Sequence, residues 1–404
     1  MNIAYVSNFM NHHQLPLSMA LLNMPNINYK FISWEPIPEE RINMGYEDMN
    51  HKYPFVICAY DSKKEMKNAI RLIDEADITI YGSCPDSLII RRATKGRICI
   101  KFSERYFKKG IGLFQMPHNI ASAWRHLRPF EKLPVYFCCS SAYTSADINR
   151  YTRLKDRAFK WGYFPEVKQY DIDKLMKNKM SVGTSEQRTP VVSILWTGRF
   201  IEWKHPESAI FVAEELKQKG YSFELSIIGN GPLENKLQTM IEKKHLSKCV
   251  KVLGAMSPEH VRRHMEQADI FLFTSDYNEG WGAVLNEAMN SGCSVVASHA
   301  IGSVPYLIKD GYNGRVYENR NQKQLNDLVI DLIEDRKYRE MLGRNAYATL
   351  IKTWNAEEAA TRFVKLAENL LCGNEGIFNL YENGPCSPAQ ILKNGWFHYE
   401  KNKG

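Results

Sequence analysis

The stretch that decides the fold runs from Ser275 to Ala288 and reads Ser-Asp-Tyr-Asn-Glu-Gly-Trp-Gly-Ala-Val-Leu-Asn-Glu-Ala. The apolar run Ile270–Phe273 precedes it and predicts a short buried strand, whereas the residues from Ala283 onward have the pattern of a helix. Gly280 and Gly282 allow backbone N–H groups of the connecting turn to approach a ligand closely. The segment therefore predicts a strand, a glycine-rich turn and a helix, with polar groups gathered at the turn.

Two carboxylates occur in this stretch, Glu279 before the turn and Glu287 eight residues later within the helix. That spacing excludes a close acid pair, and each carboxylate could accept hydrogen bonds from a different pair of sugar hydroxyls. The alternative is that both are acids favoured by the dipole at a helix N-terminus, which explains Glu279 better than Glu287.

A second motif lies upstream, where the predicted strand Val191–Thr197 is followed by a turn at Gly198. Arg199 and Lys204 follow five residues apart, and the next predicted helix begins at Pro206. Two cations beside a helix N-terminus are suited to a diphosphate. An ordinary turn with solvated cations is the alternative.

Two further turns place small residues after predicted strands, Ile228-Gly-Asn-Gly-Pro232 and Leu253-Gly-Ala-Met-Ser-Pro258. Such turns would let a flat nucleotide base lie against the backbone, or they are simply connections between a strand and a helix.

Short apolar runs alternate with helical patterns along most of the chain, which predicts an α/β protein with parallel sheets covered on both faces. The alternation stops in the polar segment 166–190 and then restarts. We therefore expect a first domain over 1–165, a linker over 166–190 and a second domain over 191–372. The aromatic segment 373–404 is expected to pack back on the first domain.

The composition is that of a globular protein, with 44% apolar and 24% charged residues among 404. No run approaches the roughly 20 apolar residues of a membrane span, and the N-terminus lacks the layout of a secretory signal, so a cytoplasmic protein is expected. The nine cysteines show no CxxC pair and no Cys/His cluster, which argues against a disulfide framework or a structural zinc site.

The net charge of +8 comes entirely from residues 1–165, which contain 23 Lys and Arg against 15 Asp and Glu. Such an excess attracts nucleic acid, acidic lipid headgroups or a phosphorylated substrate, or it serves only solubility.

Taken in order, these four motifs resemble the nucleotide-sugar half of retaining glycosyltransferases of family 4, also called glycosyl transferases group 1. The match covers about 191–370, and its signature is the pair Glu279 and Glu287. The resemblance implies the GT-B fold, an α/β fold in which two Rossmann-like doubly wound domains face each other across a cleft, with a C-terminal segment returning to the first domain.

The resemblance also assigns roles to residues. It implies that Arg199 and Lys204 neutralise the donor diphosphate, that Glu279 binds hydroxyls of the donor sugar, and these three are the expected catalytic residues. The expected donor-binding positions are Gly198, Gly229, Asn230, Leu253, Met256, Gly280, Trp281, Gly282 and Glu287, the last of which would hold the ribose.

The resemblance further implies a retaining, metal-independent hexosyltransferase without a cofactor. Its donor would be a UDP-sugar or, alternatively, a GDP-sugar, and its acceptor a glycan or a lipid-linked glycan in cell-surface polysaccharide or glycolipid synthesis. The single Asp-x-Asp, Asp171 to Asp173, lies in the predicted linker and is interpreted as surface charge. A nucleotide-sugar 2-epimerase of the same fold and a non-enzymatic polyanion-binding protein are the competing interpretations, although no nucleic-acid motif supports the latter.

The sequence departs from the family at two places. Tyr306 stands where the family usually has a glutamate, and the first domain lacks the histidine that often follows its fourth or fifth strand. The polar residues offered instead on the acceptor side are His12, His13, Ser103, Glu104 and Arg105.

The basic first domain also suggests peripheral association with the inner face of an anionic membrane, without an inserted helix. The residues expected to form this face are Lys63, Lys64, Lys67, Arg91, Arg92, Lys95, Arg97, Lys101, Arg105, Lys108 and Lys109.

Overall fold

The computed structural model describes residues 1–39, 42, 47–108, 110, 112–154, 156–179, 191–374 and 376–398. These residues form two compact α/β units. Unit 1 comprises Met1–Glu166 and Thr353–Lys393, and unit 2 comprises Val167–Lys352 and the described residues from Asn394 onward.

The sheet of unit 1 is parallel throughout. Its strands are β1 (Asn2–Ser7), β2 (Asn28–Ser33), β3 (Val56–Cys58), β4 (Ile78–Tyr81), β5 (Cys99–Ser103), β6 (Val135–Cys139) and β7 (Ala158–Lys160). They lie in the order β3-β2-β1-β4-β5-β6-β7, so the direction of winding reverses between β1 and β4. The central strand β4 is buried along its whole length, as expected for a parallel sheet covered by helices on both faces.

The helices of unit 1 have local sequence causes. Ser62 accepts a hydrogen bond from the backbone N–H of Glu65 and caps the helix that follows, and Pro16 occupies the first turn of the helix after β1. The helices are α1 (Leu15–Leu22), α2 (Lys63–Glu75), α3 (Asp86–Ala93), α4 (Met116–His126) and α5 (Thr144–Arg150).

Unit 2 repeats the same plan with six parallel strands. They are β8 (Val192–Thr197), β9 (Phe223–Ile228), β10 (Val250–Val252), β11 (Ile270–Phe273), β12 (Ser294–Ser298) and β13 (Arg315–Tyr317). Their order is β10-β9-β8-β11-β12-β13, which again reverses between the first strand and the fourth.

The helices of unit 2 cover both faces of this sheet, and an apolar core that includes Trp196, Ile227 and Leu272 lies between the sheet and the helices on one side. The helices are α6 (Ile172–Lys179), α7 (Glu207–Gln218), α8 (Glu234–Lys243), α9 (Pro258–Gln267), α10 (Val284–Asn290), α11 (Val304–Leu307), α12 (Gln322–Glu334) and α13 (Arg336–Lys352).

The last long helix, α14 (Ala356–Leu371), differs from the domain bounds expected from the sequence, because it lies in unit 1 and not with 191–352. Its Phe363 is fully buried, with ring centroids 6.2 Å from Phe102 and 5.9 Å from Trp161. The aromatic core of unit 1 therefore accounts for the position of this helix.

The segment after α14 also divides between the units. Backbone hydrogen bonds join Cys386 and Ser387 to Lys160, and Ala389 to Ala158, so this part lies along β7 in unit 1. Residues 394–398 belong to unit 2, whereas the sequence suggested a return to the first domain alone. The expected linker contributes α6 to unit 2, and its residues 180–190 lie outside the described residues.

Within the described residues, every helix is too short or too polar to cross a bilayer.

Candidate functional site

The candidate site lies at the carboxyl edge of the unit 2 sheet, where β8 and β11 are neighbours and the winding reverses. In open α/β sheets this switch point opens a crevice, because the two adjacent connections leave towards opposite faces. The loop after β8 carries Arg199 and Lys204, and the loop after β11 carries Glu279. Two motifs 75 residues apart in sequence thus meet at one edge.

Lys204 and Glu279 form an ion pair at this edge, with 2.6 Å between Nζ and Oε2. Their side chains are only 13% and 10% exposed. The hydroxyl of Ser275 donates to the same carboxylate oxygen at 2.9 Å. The carboxylate is therefore held in one orientation by two donors, close to a cation that the sequence had placed in the same site.

Thr274, the residue after β11, ties the two loops together. Its Oγ1 lies 2.7 Å from the carbonyl oxygen of Lys204 and 3.0 Å from that of His205, and it accepts a hydrogen bond from the Trp196 indole at 2.8 Å. The backbone N–H of Asp276 donates to the carbonyl of Trp203 at 2.9 Å. These bonds fix the loop 198–206, which carries Arg199 and Lys204 (the cation loop), relative to the loop 274–283, which carries Glu279 (the acid loop).

His205 is a site residue that the sequence analysis missed. Its imidazole lies between two carboxylates, 3.2 Å from Glu207 Oε1 and 3.3 Å from Asp276 Oδ2. Hydrogen bonds to Asp276 and Glu207 raise the pKa of His205 to about 9, so the ring is a cation at neutral pH. The position of His205 directly after Lys204 was a signal in the sequence. Its partner Asp276 comes from a distant loop, however, so local sequence does not reveal the ion pair.

Arg199 and Lys204 both lie near the indole of Trp203. The guanidinium of Arg199 is 6.0 Å from the centre of the Trp203 ring, and Nζ of Lys204 is 4.8 Å from it. Arg199 is exposed, and helix α7 begins directly after this loop. The arrangement offers an anion two cations and a helix N-terminus.

The glycine turns after β9 and β10 pack directly against the cation loop. Gly229 has φ +145°, and a Cβ there would lie 1.9 Å from the carbonyl oxygen of Gly198. The N–H of Gly198 donates to Ile228, and that of Gly229 donates to Gly254. The three turns are thus hydrogen bonded in a row, and the exposed Asn230 lies on them.

The predicted base-reading residues, Leu253 and Met256, flank Gly254 in the third of these turns, and both are half-buried. The N–H of Leu253 donates to the carbonyl of Ile227 at 2.9 Å, which continues the β9–β10 pairing to the edge. The structure therefore brings them to the same edge as Gly198.

Trp281 lies in the core, although the sequence places it among the donor-binding positions. Its ring is fully buried and its Nε1 donates to Asn286 at 2.9 Å. The expected contact at this position can only come from its backbone, as also proposed for Gly280 and Gly282. Gly282 has φ +77°, and a Cβ there would lie 2.3 Å from Phe273.

Glu287 lies in the first turn of α10 and is half-buried. Burial raises the pKa of this carboxyl group, and the charge of Arg262 partly opposes the shift. Arg262 donates to the Glu287 carbonyl at 3.3 Å and to Asn290 Oδ1 at 2.8 Å, so it holds the helix. Glu287 thus lies on the helix that follows the turn, whereas Glu279 lies before the turn.

In unit 1, part of the predicted acceptor-side group comes together. His13 is stacked with Tyr163 at a centroid distance of 6.1 Å and contacts the ring of His12. The Tyr163 hydroxyl donates to Glu104 Oε1 at 2.6 Å, and Ser103 donates to the Glu104 carbonyl. Tyr163 is a member of this cluster that the sequence analysis did not identify.

Arg105 does not belong to that cluster. Its side chain is 1% exposed, and its guanidinium binds both carboxylate oxygens of Asp147 at 3.1 and 3.3 Å. A buried ion pair of this kind holds β5 and α5 together and leaves the arginine inaccessible to an acceptor. The expectation that Arg105 contacts the acceptor is therefore wrong.

The basic face expected on the first domain is also smaller than its sequence suggests. Arg92 is buried and donates to backbone carbonyls, and Lys101 is paired with Asp86. Arg91 and Lys95 both bind Asp74. Lys109 lies outside the described residues.

Among the described residues, one group has the spacing of metal ligands, namely His51, Cys58 and Asp61 in unit 1. The imidazole of His51 is hydrogen bonded to Asp48 and Asp61, and the Cys58 thiol donates to the Asn50 carbonyl at 3.6 Å. These contacts explain why the three groups lie together: His51 pairs with exposed carboxylates, and the buried Cys58 thiol lies beside them.

Comparisons with known proteins show which sequences and folds this chain resembles. Residues 185–349 match the family model of glycosyl transferases group 1. The amylovoran biosynthesis glycosyltransferase AmsK of Erwinia amylovora is 40% identical over 144 residues, 34% of this chain and 35% of that protein. The poly(ribitol-phosphate) alpha-N-acetylglucosaminyltransferase of Staphylococcus aureus is 25% identical over 50% of this chain and 41% of its own length. The chain thus matches a third to two fifths of the length of these two relatives.

Solved structures extend the likeness to both units. Alr3699/HepE of Anabaena, solved in complex with UDP, superposes with a TM-score of 0.66 over 91% of this chain and 100% of that one at 15% identity. Sucrose-phosphate synthase of Thermosynechococcus elongatus gives a TM-score of 0.62 over 93% and 100% at 13% identity. The chain has the GT-B fold, and its segment 185–349 matches the model of the glycosyl transferases group 1 family.

Proposed function

We propose that this protein is a retaining glycosyltransferase that moves a sugar from a nucleotide-diphosphate donor to a glycan or a lipid-linked glycan. The observation that carries the proposal is the Lys204–Glu279 pair at the switch point, beside Arg199 and the start of α7. The family match and relatives named for amylovoran and colanic acid biosynthesis support a role in cell-surface polysaccharide or glycolipid synthesis.

UDP is the nucleotide we propose for the donor, with GDP as the second choice to test. Three GT-B neighbours are crystal structures of HepE with UDP, with UDP and glucose, or with UDP-glucose. In this chain Glu287 would accept hydrogen bonds from the ribose, while the backbone around Leu253 and Met256 would lie against the base. The turns at Gly198, Gly229 and Asn230 would line the diphosphate.

The reaction we propose proceeds on one face of the sugar. The bond from the anomeric carbon to the diphosphate breaks while the bond to the acceptor oxygen forms, and a leaving phosphate oxygen takes the proton of the acceptor hydroxyl. Arg199 and Lys204 stabilise the charge that develops on the leaving group, and Glu279 holds the sugar through its hydroxyls. This route requires neither a protein nucleophile nor a metal ion.

The acceptor would meet the cluster of His12, His13, Glu104 and Tyr163 in unit 1, with Ser103 beside it. We propose that the protein works at an anionic membrane surface when its acceptor is lipid-linked. The basic face expected from sequence gives weak support, because several of its members are paired or buried.

The test is a panel of nucleotide sugars, scored first by thermal shift and then by nucleotide release with and without acceptor glycans. Glu279→Gln and Lys204→Ala should each lower turnover by about a hundredfold or more, since each removes a charge-assisted contact worth roughly 3 kcal/mol. Lys251→Ala and Glu224→Gln are matched controls, because they break an exposed ion pair of the same kind at 2.9 Å.

Transfer at the wild-type rate by either site variant would contradict the assignment. Conversion of the donor to its epimer, without acceptor-dependent transfer, would instead establish a 2-epimerase.

A further inference from the structure

The segment from Leu113 to Trp124 exposes an unusual amount of apolar surface. Leu113 is 79% exposed, Phe114 98% and Trp124 58%, and Met116 and Ile120 are each 37% exposed. Met116, Ile120 and Trp124 are spaced four residues apart on α4, so they form one stripe that continues from the turn carrying Leu113 and Phe114. Few soluble proteins leave such a stripe uncovered without a partner.

The adjoining face of α4 is buried in unit 1 and fixes this orientation. Asn119, Ala123 and Leu127 are buried, and the side chain of Asn119 donates to the carbonyl of Gly110 at 2.9 Å. The helix is therefore anchored in unit 1 along one face, and the exposed apolar stripe lies directly beside that face.

The segment that carries the stripe has basic residues and no acidic ones, while Glu104 pairs with Lys108 and Asp86 contacts His126 from outside it. Residues 105–130 contain no Asp or Glu, yet include Lys108, Lys109, Arg125 and Arg128 besides the buried Arg105. The guanidinium of Arg128 lies 3.7 Å from the centre of the Trp124 ring, and Arg125 is exposed on the same helix. An aromatic ring with a cation over it, beside aliphatic side chains, suits the boundary between lipid headgroups and acyl chains.

We propose that the segment 113–128 is an interfacial membrane anchor that inserts the apolar stripe into an anionic lipid surface. A second copy of the chain fits less well, because a symmetric contact would bring Arg125 and Arg128 towards their own copies with no acid in 105–130 to pair with them. Anionic headgroups supply the missing charge, and the acyl boundary supplies the apolar environment. The inference goes beyond the proposed catalytic site and differs from the basic face expected from sequence.

The test is co-sedimentation of the full-length protein with phosphatidylcholine vesicles that contain or lack phosphatidylglycerol, at low salt and at about 0.5 M salt. The wild type should bind the anionic vesicles and not the neutral ones. Leu113→Ser/Phe114→Ser should weaken binding about tenfold or more, and Arg125→Gln/Arg128→Gln should weaken it by a similar factor at low salt only. Tyr312→Ser/Ile391→Ser is the matched control, because it removes two exposed apolar side chains elsewhere and should bind as the wild type does.

Three results would overturn the proposal: no binding of the wild type to anionic vesicles, equal binding to neutral ones, or unchanged binding by the Leu113/Phe114 variant. A wild-type dimer that this variant converts to a monomer, without vesicle binding by either, would assign the stripe to a contact between copies and overturn it as well. UDP-sugar hydrolysis in solution should be unchanged in both surface variants. The vesicle assay therefore tests the membrane anchor, and the hydrolysis assay separately tests the proposed glycosyltransferase activity.

Discussion

At the scale of single residues, His205 shows how the candidate site is built from pairs that distant loops supply. Its backbone is in the left-handed region, with φ +49°, and its ring joins Glu207 of α7 to Asp276 of the acid loop. A strained non-glycine residue persists only where its surroundings hold it. We infer that the imidazolium locks the cation loop to the acid loop.

This ionic lock predicts a pH dependence of stability. The pKa of His205 is raised to about 9, so its contribution is complete below an unfolded pKa of about 6.5 and is lost as the pH rises through about 9. Since each pKa unit corresponds to about 1.4 kcal/mol, the contribution at pH 6 is at most about 3 kcal/mol. The free energy of unfolding of His205→Gln, measured by urea denaturation, should fall furthest below that of the wild type near pH 6, with the gap narrowing towards pH 9.

His260→Gln is the control for this series, because His260 is exposed and its ring bonds to the capping Ser257. A wild-type to His205→Gln difference that stays constant from pH 6 to pH 10 would contradict the ionic lock.

Gly282 carries a second prediction at this scale. A side chain there would strain a backbone at φ +77° and place its Cβ 2.3 Å from Phe273 and 3.2 Å from Glu279 Cγ. Gly282→Ala should therefore lower the free energy of unfolding by about 2–4 kcal/mol and also reduce turnover, because Glu279 must move. Gly220→Ala is the matched control, because Gly220 has φ +78° and open space around an added Cβ. It should lower the free energy of unfolding by only about 1 kcal/mol and leave turnover normal. Equal losses in the two variants would show that backbone strain alone is responsible.

The residue scale also separates what sequence can predict from what it cannot. Lys204 and Glu279 are recognisable because their motifs are local, each being a strand end followed by a turn and a helix. Arg105 looked like an accessible cation because its partner, Asp147, lies 42 residues further along the chain. Burial and pairing of a charge are set by tertiary packing, which no local pattern contains.

At the scale of elements, periodicity located most strands and helices, since a buried parallel strand and an amphipathic helix leave strong patterns. The strand Ile270–Phe273 has the predicted bounds, and the predicted strand Val191–Thr197 begins one residue later, at Val192. Helix α4 leaves a weaker pattern, because it carries exposed apolar side chains where a solvated helix would be polar. It is the element for which we propose a lipid partner.

Helix α14 tests the packing that places it in unit 1. Phe363 is fully buried against Phe102 and Trp161, so Phe363→Ala should leave a cavity and destabilise the protein by about 3–4 kcal/mol. Leu371→Ala, at the end of the same helix and 43% exposed, should change stability by less than about 1 kcal/mol. Chemical denaturation followed by tryptophan fluorescence measures both, and similar midpoints for the two variants would argue against this packing.

At the scale of the whole molecule, alternation of strands and helices was enough to predict two doubly wound sheets, and the strand orders agree with that prediction. The chain's path between them was not predictable in the same way. Residues 353–393 return to unit 1, whereas residues 394–398 lie in unit 2. Such a path depends on single tertiary contacts, for example the hydrogen bond that the Tyr277 hydroxyl donates to the Asn394 carbonyl.

The last prediction concerns where nucleotide acts on the whole chain and whether a metal is needed. Saturating UDP should slow amide hydrogen exchange most strongly in the loops 198–206, 228–233, 253–258 and 275–287, because these backbone groups form the carboxyl edge of the unit 2 sheet. Arg199, Lys204 and the N-terminus of α7 supply the positive charge, so EDTA should leave both the protection and the transfer rate unchanged. Lys204→Ala should lose most of the protection, whereas Lys251→Ala should retain it. Strongest protection in unit 1, or activity abolished by EDTA and restored by Mn²⁺, would contradict the metal-free donor site proposed for this edge.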